Sequence, residues 1–133
     1  MKPSVARLKK KAWALFSKYI RRKYADFEGF ASCVTCGVRK KLEELHAGHF
    51  VQGRGNAILF DERGVFPQCY VCNVRKHGAL LEYLDFMKRH YGEKADEVIA
   101  DLRSLGRQTK QFSIQELEDL IVELVGKQQE GVA

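Results

Sequence analysis

Two Cys-x-x-Cys pairs, Cys33/Cys36 and Cys69/Cys72, flank the segment His46-Ala47-Gly48-His49-Phe50, and the second pair runs directly into Asn73. Four thiolates presented by two tight turns offer the soft, closed, tetrahedral shell of a structural zinc. A redox role for either pair would want a βαβ context, and the sequence around them has none. The residues beside the cysteines point to a second kind of chemistry. Phosphodiester hydrolysis needs a base to activate water and a cation to neutralise charge on the phosphate and the leaving oxygen. A neutral imidazole such as His49 suits the first task near pH 7. The side-chain carbonyl of Asn73, together with a carboxylate, suits magnesium or manganese, hard ions that take oxygen ligands and keep several waters. On this reading zinc holds the scaffold and a separate hard ion serves the reaction. The plainer alternatives are that His49 is a satisfied core histidine and that Asn73 only caps a helix.

Charge is placed as unevenly as the cysteines. Residues 1–24 hold nine Lys/Arg (Lys2, Arg7, Lys9, Lys10, Lys11, Lys18, Arg21, Arg22 and Lys23) and no acid, whereas the other 109 residues carry 14 basic and 17 acidic side chains. The net charge of +6 is therefore a local feature of the N-terminus. Such a block suits a phosphate backbone, whose released counterions make binding favourable and salt-sensitive. A solvated helix face is the competing reading. Arg54, Arg75 and Lys76 flank the histidine and cysteine motifs and could also grip phosphates, or could equally be solvated or offset the negative charge of a four-thiolate zinc site.

The chain has 133 residues, about the size of one domain. No stretch is apolar and long enough to span a membrane, and the start lacks a signal-peptide core. A reducing cytoplasm is the expected compartment, where paired cysteines more often hold metal than form disulfides.

The elements that would position these residues are mostly helical. Residues 4–24 read as a helix capped by Ser4, with Val5, Leu8, Ala12, Leu15, Phe16, Tyr19 and Ile20 at helical spacing and the basic residues largely off that stripe. Leu45 to Val51 reads as a strand, Ala57-Ile58-Leu59-Phe60 as its return, and a helix is expected to open at about Asn73. Further stripes follow at Leu80, Leu81, Leu84 and Met87, then at Ala95, Val98, Ile99, Leu102 and Leu105. A last helix should begin at the capping box Ser113-Ile114-Gln115-Glu116. The fold class is therefore α+β and mainly helical: a basic N-terminal helix (1–28), a zinc-bound ββα core (29–92) and C-terminal helices (93–133) within one domain. Their apolar stripes read first as simple core, but they exceed what the zinc unit alone can cover, so a homodimer interface is the competing expectation.

Taken together, Cys-x-x-Cys-Gly, His-Ala-Gly-His-Phe, Ile-Leu-Phe-Asp-Glu-Arg-Gly-Val-Phe-Pro-Gln-Cys-x-x-Cys-Asn and Lys-x-Gly-x-Leu-x-x-Tyr resemble the phage NinG (lambda Rap) recombination endonucleases over residues 30–92. More distantly, the knuckles with a central histidine resemble the endonuclease VII group of HNH (His-Me finger) nucleases. The resemblance implies a ββα-metal core and a magnesium-dependent, structure-selective DNA endonuclease acting on branched recombination intermediates, including Holliday junctions, D-loops and forks. Its cleavage would leave 5′-phosphate and 3′-hydroxyl ends. By position, His49 matches the general base and Asn73 the ligand at the helix start.

Two positions depart from the wider group: Gly48 stands where a metal ligand often precedes the base, and Gly64 where the middle asparagine falls. His46, His77 and Asp61, in that order, are the candidates to replace the missing ligand. DNA contacts are expected from Lys9, Lys10, Lys11, Arg21, Arg22, Lys23, Arg54, Arg75 and Lys76. The alternative is a non-catalytic zinc-dependent DNA-binding module, which Gly48 and Gly64 favour. A protein-interaction zinc ribbon explains the cysteines but not the N-terminal charge.

Overall fold

Ser4 starts the first helix as a cap, its hydroxyl accepting from the Arg7 amide at 3.2 Å. That satisfies one of the amides a helix leaves unpaired at its start. The computed structural model describes residues 3–130, so Lys2 of the basic block lies outside the described residues. Helix α1 (Val5–Lys23) buries Ala12, Phe16 and Ile20, whose four-residue spacing keeps one face on the core. The chain then turns at Asp26, whose carboxylate accepts from the amides of Glu28 and Phe30 at 2.9 and 3.0 Å.

Two small antiparallel sheets follow. Strand β1 (Phe30–Ser32) pairs with β2 (Arg39–Lys41), and the first cysteine pair lies in the loop between them. Strand β3 (Leu45–His49) pairs with β4 (Val65–Cys69), with His46 opposite Gln68 and His49 opposite Val65. The Val34 amide donates to the Pro67 carbonyl at 3.0 Å, which ties the first cysteine loop to β4.

Two sequence expectations change here. The return strand expected at 57–60 is instead a short helix, α2 (Asn56–Leu59), and β3 finds its partner later, at β4. A four-residue apolar run has no period that separates strand from helix, and here it buries Ile58 and Leu59 as a helical turn. Nor does a long helix open at Asn73. Residues Val71–Arg75 form a single π-helical turn. Three consecutive residues with positive φ, His77, Gly78 and Ala79, then stop it. The Gly78 amide donates back to the Cys72 carbonyl at 2.9 Å. Helix α3 (Leu80–Tyr91) begins only after that reversal.

Helices α3 and α4 (Ala95–Gly106) cover one side of the β3–β4 pair, through Tyr83, Met87, Ile99 and Leu102 packed with Phe50 and Phe66. Helix α5 (Ile114–Glu130) begins at the expected capping box: the Ser113 hydroxyl accepts from the Glu116 amide at 3.0 Å, and the Glu116 carboxylate accepts from the Ser113 amide at 3.1 Å. It lies against α1, and Leu124 joins Phe16, Ile20, Ala47 and Val65 in a second core cluster. The fold is α+β and mostly helical. Among the described residues, no helix is long and apolar enough to cross a membrane.

Candidate functional site

The four cysteines converge. Their sulfurs all lie within 4.8 Å of one another, and Cys36 Sγ and Cys69 Sγ are 3.7 Å apart. A tetrahedral ion with metal–sulfur bonds of about 2.3 Å has sulfur–sulfur edges of about 3.8 Å, so the cluster has the dimensions of such a shell. Turn geometry produces it. Gly37, at φ 82°, lets its amide reach the Cys33 carbonyl at 2.8 Å, and the Cys72 amide donates to Cys69 Sγ at 3.5 Å. Burial opposes ionisation of Cys33, but hydrogen bonds from Thr35 and from backbone amides hold its thiol down at about 6. Burial and the neighbouring sulfurs push the Cys72 thiol up to about 12. Four sulfurs this close cannot all carry charge unaided, and a bound cation removes the conflict.

One residue beyond Cys72, a cleft of about 460 Å³ opens between α1 and β3. Trp13, Ser17 and Arg21, at four-residue spacing, present one face of α1 to it. His46, Ala47 and His49 come from β3, and Gln52, Gly53, Arg54 and Asn73 complete the lining. Strand alternation places His46 and His49 on opposite faces. Both nonetheless line the cleft, as do Leu45 and Ala47 of the same strand, and β3 has no second strand partner among the described residues. No described aspartate or glutamate lines it.

His49 is 7% exposed, and its Nε2 lies 3.1 Å from the Leu59 carbonyl oxygen. A carbonyl only accepts, so Nε2 carries the proton and Nδ1 of the neutral ring keeps a free lone pair. The ring stacks on Trp13 at 5.3 Å between centroids and 19° between planes. Burial lowers the His49 pKa below its ordinary value, the Arg54 charge lowers it further, and the Leu59 carbonyl partly opposes both. Asn73 is joined to the other histidine: its Nδ2 donates to His46 Nδ1 at 2.9 Å. That bond uses the amide nitrogen and leaves Oδ1 as the hard oxygen donor. Arg21 is held at the α1 wall, donating to the Ser17 carbonyl at 3.1 Å and the Leu42 carbonyl at 3.0 Å.

The structure thus brings His46, His49, Asn73, Arg21 and Arg54 together, and it leaves His77 and Asp61 elsewhere. His77 is exposed beyond the π turn and does not line the cleft. The Asp61 carboxylate is engaged by the Arg63 amide at 3.1 Å and by its guanidinium at 2.7 and 3.0 Å, beside a different cavity.

The remaining basic residues divide. Lys9 and Lys10 share with Trp13 and Arg54 a cavity that adjoins the cleft, and Lys11 is exposed on α1. Lys23 pairs with Glu62 at 3.7 Å. Arg22 sits toward α5, beside Tyr19, Lys127 and Gln128. Arg75 and Lys76 are exposed at the end of the π turn.

Both unusual glycines have packing reasons. A Cβ on Gly48 would lie 1.9 Å from Gln68 Oε1, and one on Gly64 would lie 3.0 Å from Leu102 Cδ1. Gln68, which sequence reasoning missed, is wholly buried. Its Nε2 donates to Thr35 Oγ1 at 3.2 Å and to the Gly78 carbonyl at 3.0 Å. Trp13 escapes sequence reasoning as well, because it falls beside the apolar stripe of α1. The four-residue spacing of Trp13, Ser17 and Arg21 is the signal that could have found it.

Relatives of the chain are phage proteins. It is 31% identical to protein ninG of Escherichia phage 933W over 91 residues, which cover 67% of this chain and 43% of that protein. It is 31% identical to protein ninG of Salmonella phage P22, covering 69% and 44%, and 30% identical to that of Escherichia phage lambda, covering 67% and 42%. The chain therefore spans less than half the length of these relatives. No solved structure matches it significantly. The family model described as Bacteriophage Lambda NinG protein matches residues 2–131. With nearly its whole length covered by that model, the chain belongs to the NinG family.

Proposed function

We propose that this chain is a magnesium-dependent, structure-selective DNA endonuclease of the His-Me finger type, acting on branched recombination intermediates, with zinc held by Cys33, Cys36, Cys69 and Cys72. The observation that carries the reading is the state of His49. It is a buried neutral imidazole, its Nε2 proton committed to the Leu59 carbonyl and its Nδ1 free, in a cleft lined by two arginines and no described carboxylate. Such a lining favours an anion, and a phosphodiester is the anion whose cleavage an imidazole base assists. Four soft thiolates in tight turns favour zinc over harder ions.

In this mechanism Arg21 and Arg54 bind the phosphate, and His49 Nδ1 takes the proton from the attacking water. His46 holds the Asn73 amide nitrogen, and Asn73 Oδ1 is the protein atom that would hold a magnesium or manganese ion. The ion, when bound, supplies charge neutralisation at the phosphate and the leaving oxygen. One amide oxygen is a sparse protein shell, which suits magnesium only if phosphate oxygens and waters complete it. Lys9 and Lys10 extend the cationic surface from the cleft along α1. Two strands of a junction would need two such sites, and Val122 and Val125, exposed on α5, offer apolar surface to a second copy.

A non-catalytic, zinc-dependent DNA-binding module is the second reading, favoured by a cleft whose described lining holds no carboxylate. Incubating the chain with labelled four-way junction, fork and linear duplex, with magnesium or manganese and then with EDTA, separates the two. Metal-dependent cuts in the branched substrates support the endonuclease. Binding without cleavage in either ion assigns the chain to the second class.

A further inference from the structure

Trp13 touches two charged or chargeable groups of the cleft at once. The His49 ring stacks on it at 19°, and the Arg54 guanidinium carbon lies 4.4 Å from its ring centroid. Trp13 also lines both the cleft and the neighbouring cavity shared with Lys9 and Lys10. We propose that Trp13 is a positioning residue: its indole sets the plane of the His49 ring and holds the Arg54 guanidinium beside it. The roles given to those two partners rest on the nuclease reading above, but the positioning itself does not.

Among the described residues, His49 makes one side-chain hydrogen bond, Nε2 to the Leu59 carbonyl. A single bond restrains the imidazole at one atom only, in a torsion about Cβ–Cγ that is intrinsically broad. A nearly parallel indole removes that freedom, so Nδ1 keeps one direction. Arg54 needs holding for a different reason. It is a non-glycine residue at φ 50°, between Gly53 at φ 98° and Gly55. A left-handed arginine is unfavourable, and an attraction between guanidinium and indole is of the same order as that cost. The packing of Trp13 against Phe16 and Phe60, at 5.8 and 6.5 Å between centroids, is of a kind that any apolar side chain could keep. The stacks are not. A filler role therefore predicts that leucine and phenylalanine serve equally at position 13, and a positioning role predicts that only phenylalanine does.

The test compares Trp13→Phe with Trp13→Leu in the full chain loaded with zinc. Nitrogen NMR of labelled histidine reads the His49 tautomer, with the signal assigned by its disappearance in His49→Gln. Cleavage of a four-way junction in magnesium gives kcat and KM. Trp13→Phe should keep the Nε2–H signature. Trp13→Leu should show a mixed tautomer, about a tenfold lower kcat from the misaligned base, and a raised KM from the released Arg54. A Trp13→Leu protein with folded circular dichroism and the wild-type His49 signature overturns the proposal. Should leucine unfold the chain, Trp13→Met puts the same question with an unbranched side chain, and the same two signatures decide it. Failure of the nuclease reading shows in a wild type that cuts nothing, whereas failure of this inference shows in the NMR comparison, which needs no cleavage.

Discussion

The cysteine cluster and the cleft meet at Cys72 and Asn73, adjacent in sequence, yet they are built in opposite ways. The cluster takes four identical ligands from two short turns, and each turn is set by hydrogen bonds within a few residues, such as the Gly37 amide to the Cys33 carbonyl. The cleft takes one or a few residues each from α1, β3, the 52–54 loop and the π turn, and its polar groups are of several chemical types. A site assembled from local turns tolerates change around it but not removal of a ligand. A site assembled from distant elements keeps its fold when a ligand is removed and gives up only chemistry.

The first way to break this contrast attacks the cluster. Cys69→Ser should release zinc and with it the packing of both knuckles. Structural zinc in small domains contributes on the order of 10 kcal/mol, as much as a typical domain's whole stability. Elemental analysis and near-ultraviolet circular dichroism should report both effects together. A metal-free Cys69→Ser protein with native dichroism would falsify the scaffold role.

His49→Ala strikes only the cleft. On the endonuclease reading proposed above, cleavage should fall about 10²–10⁴-fold while zinc content and junction binding stay unchanged. The pH profile sharpens the point. Burial and the Arg54 charge lower the His49 pKa, so the base should stay competent below the ordinary histidine value of 6.5. Cleavage should decline only as pH falls through the lowered value. The unfolded chain takes up that proton at about 6.5 and the folded chain does not, so stability should drop as pH falls below 6.5. Thermal melts of wild type and His49→Ala across this range should differ in slope, and equal slopes would remove the burial argument.

Gly48→Ala tests the junction between the two regions. Gln68 packs over Gly48, bonds Thr35, and Thr35 Oγ1 in turn lies 3.3 Å from Cys33 Sγ. Overpacking here should cost about 1–3 kcal/mol, measured as a lower denaturation midpoint. Gln68→Ser in the same chain should restore part of it. Lack of any rescue would mean that Gly48 is needed for something other than room.

The smallest expected effects are on charge. If α1 carries the proposed DNA surface, replacing Lys9 and Lys10 with alanine should reduce the salt dependence of binding by about 0.9 in log–log slope for each phosphate these lysines neutralise. Lys23→Ala should change it less, because Lys23 faces Glu62. Equal effects from both would spread the DNA surface round the whole of α1.

Much of this is legible in the chain. The capped N-terminal helix, the C-terminal capping box and the two cysteine turns follow from spacing, because each depends on atoms a few residues apart, while the meeting of the two turns is tied by bonds such as the Val34 amide to the Pro67 carbonyl. The helix at 56–59 and the π turn at 71–75 are not legible. A four-residue apolar run carries no period, and the reversal at His77, Gly78 and Ala79 is braced from outside its own turn by the buried Gln68, whose Nε2 donates to the Gly78 carbonyl.

The sequence by itself determined the ligand types, the pairing of cysteines into turns, and the concentration of positive charge on one helix. Those are properties of residue chemistry and short spacing. Only the tertiary structure decided that His46 and His49 reach one cleft, that Asp61 and His77 do not, and that Trp13 stands between His49 and Arg54. Which side chains meet depends on the edge of β3 that no described strand pairs and on the face α1 turns toward it. Both are set by how Phe16 and Ile20 pack with Ala47, Val65 and Leu124, residues far apart in the chain.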